Sequence, residues 1–369
     1  MKIKNIIIDF LILFLCIILL FISSEPILYP DSQRYLTGAL DDPPLYSMII
    51  EIKKATFGNL NAVIIFQTLS VGFGIIYLTR TISIHLNINL LTKTIVSLFL
   101  FLPIIKFYDY LLTEPIGYAL SLLFISFVIK LIYKFNYSNL VWSTFFAIML
   151  LLTRNQFIFL YPTILLLYLG LFYIYNSRKV FLILLASFLS IFIIHNSLLF
   201  LNTYIKQGNF NNESLSYVKK GPYFYAYFDA IYISSAEDIK LFKSENIKKA
   251  LTKIFDSLED KKLLFKHYDG RGHYKPDTIR KYDTKILLDL ADQEKRGFID
   301  LRKEITLTLI KQNFKKYIKH IFKKVYDSTW LFIIVPFFIF ISSSISFLIY
   351  KSPFSLLVLF ISAFTIANH

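Results

Sequence analysis

Apolar runs of about twenty residues recur along almost the whole chain, which is the length an α-helix needs to cross a hydrocarbon layer. They lie at 6–22, 60–79, 90–105, 114–133, 139–152, 156–175, 180–201, 330–350 and 353–367. A water-soluble domain does not collect its apolar residues in such runs. The pattern therefore predicts an all-α polytopic membrane protein with about nine transmembrane helices. Composition agrees, with 56% hydrophobic and 18% aromatic residues in 369. The single cysteine, Cys16, lies inside the first run, so a disulfide framework or a cysteine-based zinc cluster is excluded.

Charge orients the chain. The first run follows Lys2 and Lys4, and 21–24 could mimic a cleavage site. The many later spans favour a retained signal-anchor instead. With the N-terminus in the cytoplasm, the inner joints carry Lys2, Lys4, Arg80, Lys130, Lys134, Arg178, Lys179 and Lys351, as the positive-inside rule requires. Asp9 stands near the inner end of the first span and is expected to be structural. The net charge of +15 belongs to span ends and one polar block, which suits a protein beside anionic lipid and not one that binds nucleic acid.

Three regions follow. Residues 1–201 form a transmembrane bundle whose first external loop is 23–59. Residues 202–327 form an external, mostly helical polar domain between the seventh and eighth spans. Residues 328–369 hold the last two spans. Within the polar block, 223–233 is aromatic and could pair as a strand or pack on the membrane surface. The stretch 237–265 has helical spacing, and 266–276 reads as a polar loop. From 300 to 325 the spacing predicts a basic amphipathic helix along the bilayer surface, with Ile305, Leu309, Phe314, Ile318 and Ile321 on one face.

On this orientation four polar features reach the outer side: the segment around Asp31, Glu114, Arg154 and the large polar block. A carboxylate just outside the bilayer, such as Asp31, can act as general base toward a hydroxyl held against it. It could equally cap a short helix beginning at Ser32. Arg34, Tyr35 and Asp42 of the same loop are candidate substrate contacts. Glu114, the second candidate catalytic residue, opens the fourth span ahead of Pro115, where it could orient a substrate hydroxyl or help hold a divalent cation; an acid there also suits the positive end of a helix. Arg154, between two apolar runs, is costly unless it pairs, snorkels or meets an anion, and its planar fork suits a phosphate. His267, Arg271 and His273 are loop candidates for further substrate contacts.

No P-loop, His-Glu-x-x-His, Gly-x-Ser-x-Gly or dinucleotide fingerprint is present. Pro30-Asp31-Ser32 with Tyr35 and Ala39, then Asp42-Pro43-Pro44-Leu45-Tyr46, resembles the first external loop of the GT-C glycosyltransferases. These polytopic enzymes include protein mannosyltransferases and the aminoarabinose transferase of lipid A. Thr113-Glu114-Pro115 is similar to their Ser-Glu-Pro-type motif. Leu152-Thr153-Arg154-Asn155-Gln156, leading to Tyr161-Pro162, is similar to their arginine-containing loop.

The resemblance implies a GT-C-like fold and a sugar donor on polyprenyl phosphate. It also implies a glycan, lipid or protein acceptor, and a catalytic base that by motif position is Asp31. The enzyme would work in the cell (inner) membrane with its site external, in the building of envelope polysaccharide. Ser32 stands where many members carry a second acid, a departure that speaks against a metal held by this loop; a divalent cation is an open option and no other cofactor is implied. A polysaccharide polymerase or ligase with a lipid-linked donor, or a flippase, would share the membrane layout.

Overall fold

The computed structural model describes residues 2–22, 26–28, 32–36, 43–207, 226–262, 264 and 276–368. They are almost wholly helical. The β structure among them is an isolated parallel bridge between Ile27 and Tyr110. Five helices are long and apolar enough to cross a membrane: Asn61–Leu86, Leu90–Phe107, Thr113–Tyr133, Asn155–Tyr175 and Arg178–Ile205. Shorter apolar helices occupy the remaining runs, at Ile6–Ile22, Tyr137–Leu151, Phe338–Tyr350 and Pro353–Phe364. The chain divides into two compact units, Met1–Ser214 with Phe332–His369, and Leu215–Leu331.

The first unit contains α1 (Lys2–Ile22), the short α2 (Ser32–Leu36), α3 (Pro44–Phe57), α4 (Asn61–Leu86), α5 (Leu90–Phe107), α6 (Thr113–Tyr133), α7 (Tyr137–Leu151), a 3₁₀ turn (Asn155–Phe159), α8 (Leu160–Tyr175) and α9 (Arg178–Gln207). Asparagines punctuate one set of joints. Asn87 and Asn176 end α4 and α8 with φ of 50° and 43°, a left-handed conformation that asparagine tolerates. The Asn89 and Asn136 side chains accept from the Thr92 and Ser138 N–H groups, at 2.8 and 2.9 Å, and so start α5 and α7.

Helices α4 and α6 make the most extensive contact in this unit. Lipid gives apolar helices no hydrophobic reason to associate, so close packing must hold them, and small residues allow it. A Cβ built at Gly74 would stand 3.1 Å from the Ala119 carbonyl oxygen, so glycine lets the α4 backbone come this near to α6 without crowding it. Around this seam Ile75, Leu78, Leu122, Val128 and Leu131 are buried. Phe10, Phe14, Leu91, Phe99, Phe192 and Ile193 are exposed on the outside of the bundle, as expected of side chains that face acyl chains.

The second unit contains α10 (226–233), a 3₁₀ turn (Ala236–Leu241), α11 (Glu245–Asp260), α12 (Pro276–Glu294), α13 (Phe298–Gln312) and the first part of α14 (Phe314–Tyr350); the rest of α14 and α15 (Pro353–Asn368) belong to the first unit. On α11, Ile247, Ala250, Leu251, Ile254, Phe255 and Leu258 recur at helical spacing and are all buried. Two sequence expectations change here. The aromatic stretch 223–233, expected as a strand or a membrane-surface segment, is helical over 226–233, with Tyr227, Phe228 and Ile231 sealed in the unit's core. The helix expected over 300–325 breaks at Asn313. Leu301, Ile305 and Leu309 close the same core, while Phe314 and Ile318 of the expected face remain exposed and Ile321 is half-buried. The first half of the apolar face that suited a bilayer has found protein instead.

Buried charge inside this unit is paired. Arg302 lies 3.3 Å from Asp283, and its guanidinium stacks 4.6–5.1 Å from the rings of Tyr227, Phe228 and Phe298. Burial, with the Asp283 charge beside it, holds the Tyr227 phenol well above its ordinary pKa. His320 Nε2 meets Asp229 Oδ1 at 3.1 Å.

Candidate functional site

At one end of the first unit, four separated segments are knotted together. Ser32 Oγ donates to the Leu111 carbonyl at 2.7 Å, fixing α2 to the start of α6. The Ile27 N–H donates to Asp109 O at 2.8 Å, and the Leu111 N–H returns to Ile27 O at 3.1 Å. The Leu45 N–H donates to Leu152 O at 3.1 Å, which joins the start of α3 to the end of α7. Beneath these contacts the fully buried Tyr46 hydroxyl donates to Gln67 Oε1, and Gln67 Nε2 donates to Tyr110 O at 3.2 Å.

Glu114 and Arg154 sit in this knot. Glu114 occupies the first turn of α6, next to Pro115, where both residue types favour a helix start. Arg154 follows α7 in extended backbone, and its carbonyl accepts from the Phe157 N–H at 3.1 Å to begin the 3₁₀ turn. Gly117, one turn beyond Glu114, lets the Phe157 ring and Thr153 close against α6. The result is an ion pair: Arg154 Nη1 lies 2.7 Å from Glu114 Oε1. The Thr113 hydroxyl donates to Glu114 Oε2 at 3.4 Å. Arg154 therefore does not simply snorkel, and Glu114 does more than cap. The two side chains keep 24% and 34% exposure, so the pair stays open to a solute or headgroup.

Of the other sequence candidates, Tyr35 stands edge-on to Tyr46 at 5.2 Å between ring centroids, and the Arg34 side chain is exposed. Burial pushes the Tyr46 phenol well above its ordinary pKa, and the charges of Tyr35 and Glu114 push the same way. Tyr46 therefore remains a neutral hydrogen-bond donor within electrostatic reach of Glu114. Asp31, Asp42, His267, Arg271 and His273 lie outside the described residues. So does the loop 265–275 as a whole.

Sequence reasoning missed two groups. Gln67, fully buried inside the second apolar run, carries the Tyr46–Tyr110 link. His195 on α9 is buried and meets the Tyr161 hydroxyl at 2.7 Å, tying α9 to the first turn of α8 just past Arg154. A lone amide and a lone imidazole inside apolar runs are the signal, because each must find a partner there.

No group of three or more His, Cys, Asp or Glu side chains that could hold a metal ion occurs among the described residues. Both Glu114 oxygens are already engaged, by Arg154 and Thr113, so this carboxylate does not offer a ready cation ligand. No protein-family model matches the chain, and neither a curated protein nor a solved structure matches it.

Proposed function

We propose that this chain is a membrane glycosyltransferase that moves a sugar from a polyprenyl-phosphate-linked donor to an acceptor hydroxyl at the outer face of the cell membrane. The observation that carries this reading is the half-open Glu114–Arg154 pair at the end of an apolar bundle. A donor of this kind brings its own lipid tail, so the enzyme needs no nucleotide site. It needs a cation at the level of the headgroup, held in place before the donor arrives.

In the proposed reaction Asp31 takes the proton from the acceptor hydroxyl as that oxygen attacks the anomeric carbon. The bond from this carbon to the phosphate oxygen breaks, and its electron pair leaves with the lipid phosphate. Arg154, oriented by Glu114 through Nη1, presents its remaining N–H groups to the charge that grows on the phosphate. Glu114 thereby acts as a positioning residue. Ser32 anchors the chain one peptide bond after the proposed base. Arg34, Tyr35 and Asp42, with His267, Arg271 and His273, are the proposed contacts to sugar and acceptor. The acceptor is a glycan, a lipid or a protein.

The test uses purified protein with polyprenyl-phosphate mannose and polyprenyl-phosphate aminoarabinose as donors, reading release of polyprenyl phosphate. Asp31→Asn preserves size but removes proton acceptance and should lower release by at least about a hundredfold, the usual scale for a lost general base. Equal release by wild type and a folded Asn variant contradicts the assignment of the base.

A further inference from the structure

At the opposite end of the bundle a second charged cluster joins α1, α4 and α5. Arg80 donates to Asp9 Oδ2 through both Nε, at 2.9 Å, and Nη2. Lys93 Nζ stands 3.7 Å from the other oxygen, Asp9 Oδ1. One carboxylate thus serves two cations.

The surroundings add to the imbalance. Lys93 lies in the first turn of α5, where the helix dipole is itself positive and disfavours a cation. Its side chain is 1% exposed, whereas that of Arg80 is 53% exposed. One turn beyond Lys93 on the same helix, the Ser97 hydroxyl is fully buried and has no hydrogen-bond partner among the described residues. Lys130 adds a third cation nearby, its Nζ 2.6 Å from the hydroxyl of Tyr77, one turn from Arg80 on α4. Among the charged residues of the joints at this end, Asp9 is the sole acid in the sequence, against Lys2, Lys4, Arg80, Lys93, Lys130, Lys134, Arg178, Lys179 and Lys351.

Excess positive charge where the dielectric is low calls for an anion from outside the protein. Arg80 keeps about half of its side chain exposed while Nε and Nη2 are spent on Asp9, and Nη1 is not committed to that carboxylate. A guanidinium edge fits the paired oxygens of a phosphate. We propose that this end of the bundle binds a phosphate group on Arg80, presented by an anionic lipid of the adjoining leaflet, and that Lys93 and Lys130 supply the attracting field. Asp9 sets the strength of the site by neutralising part of that field. This role does not depend on the transferase reading.

Native mass spectrometry of the detergent-solubilised protein, with equimolar phosphatidylglycerol and phosphatidylcholine, reads the preference directly. Wild type should bind phosphatidylglycerol about fivefold over phosphatidylcholine, the scale of one cation beside an anionic leaflet. Arg80→Gln leaves Asp9 facing Lys93 and should bring the ratio close to one. Asp9→Asn removes the negative charge that offsets both cations and should raise the ratio. If the cluster is only a brace between helices, Asp9→Asn leaves the ratio unchanged. That result, or a wild-type ratio near one, or a preference that survives Arg80→Gln, overturns the proposal. Adding inorganic phosphate as competitor separates the sources: displacement of phosphatidylglycerol assigns the site to any phosphate, and its retention assigns it to the lipid.

Discussion

Arg154 Nη1 rests 2.7 Å from Glu114 Oε1, although nearly all of α6 and the whole of α7 separate the two residues in sequence. The pair closes the polar end of the helix hairpin and leaves both side chains partly exposed. Exposed ion pairs contribute ~0.2–1 kcal/mol, because water and side-chain entropy offset most of the attraction. A double-mutant cycle of Glu114→Gln and Arg154→Met, followed by denaturant unfolding in micelles, should therefore give a coupling of about 0.2–1 kcal/mol. Additive single effects would mean that the pair does not form in solution.

The α4–α6 seam makes a firmer prediction. Gly74→Ala puts a methyl 3.1 Å from the Ala119 carbonyl oxygen and 3.3 Å from Leu122, inside ordinary contact. Overpacking of this kind costs about 1–3 kcal/mol. Unfolding titrations should show that loss, whereas Gly58→Ala, in open space at φ 73°, should act only through its end of α3. A neutral or stabilising Gly74→Ala would contradict the packing described here.

In the second unit, Leu309 lies fully buried on α13. Leu309→Ala should cost about 2–5 kcal/mol, as for a core leucine. The loss should be the same in detergent and in nanodiscs, because the partner of this face is protein. A loss seen only with lipid present would restore the bilayer-surface helix that the sequence suggests.

Orientation is tested with Cys16→Ala as background. Cysteines at Lys54, just before the α3–α4 joint, and at Ser138, at the start of α7, both occupy exposed positions. A membrane-impermeant thiol reagent added to intact cells should label position 54 and not position 138. The reverse pattern would overturn the orientation drawn from the inner lysines and arginines.

The apolar runs were enough to place the long helices, since length and hydropathy alone decide what can lie in lipid. The asparagines at 87, 89, 136 and 176 mark helix ends on the same local terms. What sequence hides is partnership. Thr113-Glu114-Pro115 and Thr153-Arg154-Asn155 each read as polar ends of spans, but nothing local says that the acid and the base meet. The spacing of Leu301, Ile305 and Leu309 is identical for a face on lipid and a face on protein, and only the tertiary fold chooses. The aromatics of 223–233 carry strand propensity, yet the helix over 226–233 buries Tyr227, Phe228 and Ile231 against helices far along the chain.

The central claim is that Arg154 receives the phosphate of a lipid-linked donor, and titrating that donor tests it most directly. Initial rates would be measured against polyprenyl-phosphate mannose and polyprenyl-phosphate aminoarabinose for wild type, Arg154→Lys and Arg154→Ala of matched stability in nanodiscs. Lysine can still pair with Glu114 but offers a point charge in place of the fork. Loss of a charged hydrogen bond, about 1.5–3 kcal/mol, should reduce donor use by roughly ten- to a hundredfold. The account predicts a clear defect for lysine and a larger one for alanine, both expressed in the donor curve. Three superimposable donor curves would contradict it, leaving Arg154 as a brace for Glu114 and the phosphate to be held elsewhere.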